Sequence, residues 1–339
     1  MKAAVVTKFG PPGMLKILER PVPEVGEGEV LIRTKAIGMN FSDVFARMGY
    51  YPGVPRPPFV PGIELSGVIE RAGKGVKALK RRDRVLAFPK LGAYAEYVCI
   101  PATHAIRMPK KMSFEEGAAF GVAALTAYHG LVTLAHIRAE EKLLLHAAAG
   151  GVGTAAVQLA KHLGAEVYAT ASSAEKLEVA RNQGANHLIN YRTEDFAEII
   201  SLETNGYGVD VILDSVGGRV FRKGWRLLAP MGRYVLYGFA AVSGDRSVKK
   251  LRALRELASV PWIYPPSIVS KNVSVSGFNL FFLTHKVEYF GGVLRELFKL
   301  YEKKVLKPVI GAKFPFDQIA EAQAFLQSRK SFGKLVVMM

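Results

Sequence analysis

The chain of 339 residues reads as an α/β protein, with a doubly wound parallel sheet in its middle and a second, β-rich domain beside it. Three observations predict that class. A glycine-rich turn, "HAAAGGVG" from His146, follows a strand-like run and opens a helix-like one. Five apolar runs alternate with helical stretches over the middle of the chain, as a parallel sheet covered on both faces requires. Residues 1–110 instead carry short alternating runs broken by Gly and Pro clusters, the pattern of a compact β-rich domain. The length agrees, since it exceeds one ordinary core and suggests two domains.

Taken in order, "EVLIRTKAIGM" and "ELSGVIERAG" are the clearest strands of the first part, and "YYPGVPRPPFVPG" is a loop. Ser113 with Glu116 three residues on is a capping box that starts a helix. The uncharged stretch Gly117 to Ile137 approaches membrane-spanning length, but its alanines, glycines, two histidines, Thr126 and Tyr128 make it only mildly apolar, and a buried helix is expected. "KLLLHA", "AEVYAT", "NHLINY", "VDVILD" and "GRYVLYGF" supply the parallel strands. After "VLRELFKLYEKK", the closing "LKPVIGAKFPFDQIAEAQAFLQSRKSFGKLVVMM" reads as a strand, a helix and a strand that return to the first domain. Boundaries are expected at 1–122 with 305–339 for the β-rich domain and 123–304 for the α/β domain. Residues 241–271 fit neither pattern. There Val248, Leu251, Leu254 and Leu257 recur every three residues among basic ones, marking an amphipathic helix. A helix packed on its own domain is the first reading of the 248–266 segment, with a lid or a membrane-surface patch as alternatives, given Trp262, Tyr264 and the Pro265–Pro266 pair.

Lys and Arg number 46 against 29 Asp and Glu, a formal net charge of +17. The basic clusters at Lys77–Arg84, Lys249–Arg255 and Lys303–Lys307 read as a solvated surface that attracts anionic ligands. No recognition motif or aromatic-interleaved basic run points to nucleic acid. Cys99, the single cysteine, excludes an internal disulfide and a cysteine-rich zinc lobe, and fits a reducing compartment. The apolar run of "MKAAVVTKFGPP" is too short for a signal peptide, so a cytoplasmic location is expected.

Ala148, Gly150 and Gly153 occupy the three positions of the dinucleotide fingerprint, with alanine in place of the first glycine. Gly150 lets backbone approach a pyrophosphate and Gly153 lets the helix pack on the strand, while the N–H groups of the first turn, Gly151 and Val152 included, face the anion with the positive end of the helix dipole. The position between "KLLLHA" and "GTAAVQLAKHLG", ahead of "AEVYAT", separates the motif from an ordinary tight turn. A carboxylate at the end of the second strand would grip the ribose of NAD. This chain has Thr170-Ala171-Ser172-Ser173 there, with Lys176 a turn later, which suits the 2′-phosphate of NADP. Ser172 with Glu175 also reads as a capping box, and both readings can hold together.

These residues, with "AIGMNFSDV", "PGIELSGVI", "LTAYHGL", "LDSVGG", "YVLYGF" and the closing "GKLVV", resemble the zinc-independent medium-chain dehydrogenase/reductases of the quinone oxidoreductase group. "VSGFNLFFL" and the C-terminal run look most like the branch named after a synaptic-vesicle membrane protein. The resemblance implies a GroES-like catalytic domain built from both chain ends, a Rossmann cofactor domain between them, and a cleft for the nicotinamide of NADPH. Zinc-dependent relatives carry a cysteine at the position of Asn40 and a histidine at that of Ile63, and the seven histidines show no zinc-binding spacing, so no metal is expected. His129 and His136 read as ordinary helix or core histidines. By resemblance, Tyr191 and Arg329 join Ser172 and Lys176 around the 2′-phosphate, although Tyr191 could instead cover the adenine and Arg329 pair at the surface. Thr126, Gly238 and Phe239 match positions near the nicotinamide. Asn40 and Tyr51 match positions lining the substrate cleft, Asn40 also counting among the cofactor-binding positions, and Phe45 departs from the tyrosine common in the group. A homodimer joined through the edge strand "KNVSVSGF" is also implied.

The chemistry that follows is hydride transfer, in which the cofactor reacts and the protein orients. Without a Lewis acid, a quinone or an α,β-unsaturated carbonyl is the acceptor expected, because its conjugation spreads the incoming charge onto oxygen. Asn40 and Tyr51 offer donors for that oxygen. Local capping by Asn40 and packing by Tyr51 remain equal alternatives. The second reading is a binding or membrane-surface protein that keeps the NADPH fold and turns over slowly.

Overall fold

A computed structural model describes residues 1–242 and 263–339. The chain divides into two compact units, residues 1–122 with 284–339 and residues 123–283. In the first unit β1 (Lys2–Val6) and β2 (Leu15–Glu19) form an antiparallel ribbon. The long β3 (Glu29–Met39) buries Val30, Ile32, Ile37 and Met39. It runs straight into α1 (Phe41–Met48), whose N-cap is Asn40. On β3 pair β4 (Leu65–Ala72) and, later in the chain, β6 (Tyr97–Pro101), while β5 (Arg84–Ala87) joins β4 and β7 (Ala105–Arg107) joins β5, all antiparallel. The capping box expected at Ser113 forms: its N–H donates to Glu116 Oε2 at 2.8 Å and its Oγ accepts from Glu116 N–H at 3.1 Å. It opens α2 (Phe114–Tyr128), which continues as a wider π turn over His129–Leu134. Among the described residues this stretch is the helix long and apolar enough to span a membrane, but 72% of its most apolar window is buried inside the protein, as the core-helix reading expects.

The second unit is the doubly wound sheet. β8 (Lys142–Leu145), α3 (Gly151–His162), β9 (Glu166–Ala171), α4 (Ala174–Gln183) and β10 (His187–Asn190) lead one way. After α5 (Phe196–Glu203), β11 (Val209–Asp214), α6 (Arg219–Leu227), β12 (Leu228–Leu236), α7 (Pro265–Lys271) and β13 (Ser274–Gly277) lead the other. The order β10-β9-β8-β11-β12-β13, parallel throughout, puts the reversal between β8 and β11. Ligands of open α/β sheets bind outside the strand ends at such a point. β13 lies at the sheet edge among the described residues. The helix expected around Val248–Leu257, and Trp262, lie outside the described residues.

The chain returns to the first unit at Thr284, earlier than the expected residue 305. The reason is α8 (Val287–Glu302). Its Phe298 stacks on Phe120 at 5.9 Å, Tyr301 meets the same ring edge-on at 5.8 Å, and Tyr301 Oη donates to Glu116 Oε2 at 2.9 Å. β14 (Ile310–Pro315), α9 (Ile319–Gln327) and β15 (Lys334–Met338) complete the unit. β15 lies parallel to β14 and antiparallel to β3, with Leu335 opposite Met39.

Candidate functional site

The glycine turn is tied to both neighbouring strands. His146 N–H donates to Leu213 O at 3.2 Å, Ala148 N–H to Thr170 O at 3.1 Å, and Gly150 N–H to Ala147 O at 2.9 Å, where Ala147 is left-handed at φ 56°. Gly150 caps α3 without a side chain, so it supplies no hydroxyl or carboxylate to the first-turn N–H groups of Gly151, Val152 and Gly153. A Cβ on Gly153 would lie 2.6 Å from the carbonyl atoms of Ala148 and closer still to Ala147 O; packing alone demands that glycine. A Cβ on Gly150 would meet only Ala147 O, at 3.3 Å. The space it leaves at the helix N-terminus is a cradle that a side chain would fill, and the residues present fit a pyrophosphate. Ala148 is fully buried. Beneath the turn, buried His146 holds Nδ1 3.0 Å from Thr170 Oγ1 and sits edge-on to Phe196, and burial pushes its pKa below the ordinary value.

The loop after β11 is built around Asp214, whose carboxylate accepts from Val216 N–H at 2.6 Å, Gly217 N–H at 3.2 Å and Tyr234 Oη at 2.7 Å. The segment after β12 packs on it: a Cβ on Gly217 would meet the Phe239 ring at 2.9 Å, and one on Gly238 would meet Ser215 O at 2.8 Å. Gly238 and Phe239 are thereby held beside the strand end, and Thr126 is buried on α2.

At the end of β9 the helix cap is Ser173, not Ser172: Ser173 Oγ accepts from Lys176 N–H at 3.4 Å. The capping box expected for Ser172 and Glu175 is off by one residue. Half-buried Lys176 has its pKa lowered by burial and then by the nearby charge of Arg192. Tyr191 is half exposed and its N–H donates to Ala171 O at 3.1 Å. The ends of β9 and β10 thus bring Lys176 near Arg192 and tie Tyr191 to Ala171, next to Ser172. Arg192, which sequence reasoning passed over, stands next to Tyr191 in "INYRTED". Arg329 is an exposed residue of the first unit, left-handed at φ 59°.

In the first unit, Asn40, Glu64 and Lys334 form a closed set. Lys334 Nζ donates to Asn40 Oδ1 and to Glu64 Oε2, both at 2.7 Å. Asn40 Nδ2 donates to Glu64 Oε2 and to Gly38 O, both at 3.3 Å. Glu64 Oε1 accepts from Val122 N–H at 2.6 Å. Beside it Asp43 Oδ2 accepts from Asn40 N–H at 2.8 Å and Tyr94 Oη at 3.0 Å, and burial raises the Asp43 pKa to about 7. Arg47, fully buried one turn on, donates to Gln323 Oε1, Gln327 Oε1 and Gly10 O. One of the Asn40 side-chain bonds is local, to Gly38 O, and the other two reach Glu64 and Lys334 far along the chain. Tyr51 packs half-buried on the apolar core of the unit, and Phe45 sits edge-on to Phe41. His129 is buried against Phe278, whereas His136 is exposed at φ 47° and is neither a helix nor a core residue. Burial and Glu29 push the Cys99 thiol up to about 11, so it stays protonated.

Glu64 and Lys334 were missed because each stands in an apolar strand motif, "PGIELSGV" and "GKLVV", that reads as core. A charge inside such a run is the available signal. It names no partner.

Residues 26–110 match the alcohol dehydrogenase GroES-like domain and residues 151–296 the zinc-binding dehydrogenase domain. The human synaptic vesicle membrane protein VAT-1 homolog is 36% identical over 99% of this chain and 86% of its own length, and rat quinone oxidoreductase is 31% identical over 100% and 98%. The chain belongs to the quinone oxidoreductase group of the medium-chain dehydrogenase/reductases. Among solved structures, Escherichia coli quinone oxidoreductase complexed with NADPH is similar over 100% of both chains, with a TM-score of 0.89 and 32% identity. The groups gathered at Asn40 are its amide, the Glu64 carboxylate and the Lys334 ammonium, and the carboxylate is already engaged by the ammonium. Among the described residues no three His, Cys, Asp or Glu side chains gather as metal ligands.

Proposed function

We propose that this quinone oxidoreductase-group protein is an NADPH-dependent reductase that transfers hydride to a quinone or an α,β-unsaturated carbonyl without a metal. The observation that carries the reading is the glycine turn at the N-terminus of α3, in a chain similar over its whole length to a quinone oxidoreductase complexed with NADPH. Bound NADPH supplies the hydride. The turn from Ala148 to Gly153 binds the pyrophosphate through backbone N–H groups, while Ser172, Lys176 and Arg192 meet the 2′-phosphate, joined by Tyr191 and Arg329. Thr126, Gly238 and Phe239 orient the nicotinamide end. The Asn40 amide and the Tyr51 hydroxyl hold the substrate oxygen as negative charge develops on it, which a conjugated acceptor permits without a Lewis acid. The working form is a homodimer joined through β13, located in the cytoplasm.

Fluorescence titration with NADPH and NADH tests the cofactor half. Charge-assisted bonds to phosphate contribute roughly 1.5–3 kcal/mol each, so NADPH should bind about tenfold or more tightly. Equal affinities would refute it. The names of the vesicle-membrane relatives and the +17 charge favour a second reading, a membrane-surface protein of low turnover. Flotation with anionic liposomes at low and high salt separates the two.

A further inference from the structure

We propose that the buried Glu64–Lys334 pair is a positioning device that presents the Asn40 amide as a donor to the substrate oxygen. The proposal rests on the reductase reading above. An ammonium only donates, so the Asn40 atom 2.7 Å from Lys334 Nζ is its oxygen. That contact fixes which end of the amide is which, and Nδ2 is left with two contacts at 3.3 Å, to Glu64 Oε2 and Gly38 O. These are long for N–H···O bonds, against a short, charge-assisted bond on the oxygen. A strong bond accepted at Oδ1 draws electron density through the amide and makes the Nδ2 hydrogens better donors. The weak pair of contacts is the one an incoming oxygen can replace.

The burial pattern supports this use. Glu64 is 0% and Lys334 5% exposed, whereas Asn40 is only half-buried. Two charges placed among Leu65, Leu335 and Ile37 incur a desolvation cost that an apolar pair would avoid. They converge from chain positions 270 residues apart, and both touch Asn40. Glu64 is itself anchored by Val122 N–H at 2.6 Å. The ammonium therefore sits on a fixed base and orients the amide from behind.

The test uses Glu64→Gln/Lys334→Met, which removes both charges together and leaves neither unpaired. Lys334→Arg keeps a cation, and Lys334→Gln keeps a neutral donor as a second variant if the double one does not fold. The first readout needs no turnover: the Asn40 side-chain amide in the 15N spectrum, assigned by its loss in Asn40→Ala. It should hold one displaced, well-resolved position in the wild type and in Lys334→Arg, and move to the averaged position of an unrestrained Asn side chain in the double variant and in Lys334→Gln. The second is kinetic: kcat with a quinone should fall about 10- to 100-fold, less than the roughly 100- to 1,000-fold for outright loss of an oxyanion donor because the amide is still present, with the KM for NADPH unchanged and partial rescue by Arg. In an Asn40→Ala background the same substitutions should cost nothing further. An Asn40 amide resonance unmoved in the double variant, or losses that multiply in that background, would overturn the proposal. A wild type that reduces no quinone would instead refute the reductase reading, and the amide readout would still decide the positioning.

Discussion

Replacing Asp43 by Asn should remove a pH-dependent penalty on the fold. The carboxyl is buried, and burial raises its pKa from 3.8 to about 7. Unfolded chains ionise it near pH 4, whereas the native state keeps it protonated to about neutrality. Between those values the native state binds more protons, so the contribution of this group to stability is fully present below pH 4 and is lost as pH rises through about 7. The full shift is worth about 4 kcal/mol, of which roughly 2–3 kcal/mol falls between pH 5 and pH 8. Other groups move stability in different windows. Asp83, Glu115, Glu166 and Asp195 have lowered pKa values, so their contributions are complete above pH 5. His104, His129 and His146 are lowered too, and they add stability as pH rises toward 6.5, opposite in sign to Asp43. The difference between Asp43→Asn and wild type at each pH cancels all of these. Urea unfolding at pH 5, 6, 7 and 8 should show the variant gaining on the wild type by roughly 2–3 kcal/mol across the series. A constant difference would mean that Asp43 is ionised in the fold already at pH 5, and the reasoning would fail.

Three further outcomes follow from the same geometry. Gly153→Ala places a Cβ against the carbonyls of Ala147 and Ala148; overpacking of this kind costs about 1–3 kcal/mol, so the melting temperature should fall and NADPH binding should weaken with it. Lys176→Ala and Arg192→Ala should each weaken NADPH about tenfold or more while leaving NADH affinity unchanged, read by titration; parallel losses for both cofactors would remove these residues from the phosphate site. Light scattering at micromolar concentration should give a dimer, because an exposed edge strand such as β13 is relieved by pairing with its copy, and a monomer would count against that contact.

Local patterns were legible in the sequence and long-range ones were not. The five strand runs of the second unit and the glycine turn are written in consecutive residues, so their periodicity and spacing carry them. Ser172 and Ser173 differ by one position in the same hydroxyl pair, and the choice shows only in the bond that Ser173 Oγ accepts from Lys176 N–H. The amphipathic face of α8 announces that the helix packs but not on what, and the stacking of Phe298 on Phe120 settles it. Glu64 and Lys334 meet through a sheet register, β15 on β3 beside β4, that no local signal encodes.

The metal-free, NADPH-dependent reduction of a conjugated carbonyl proposed above is open to a direct test. The most direct measurement is NADPH oxidation, followed by its absorbance, by protein dialysed against a strong chelator and shown by metal analysis to be metal-free, with a quinone, an enone and a simple aldehyde as acceptors. Consumption should be undiminished with the quinone or the enone and slight with the aldehyde. Loss of stoichiometric zinc together with activity, or turnover of the aldehyde alone, would contradict it.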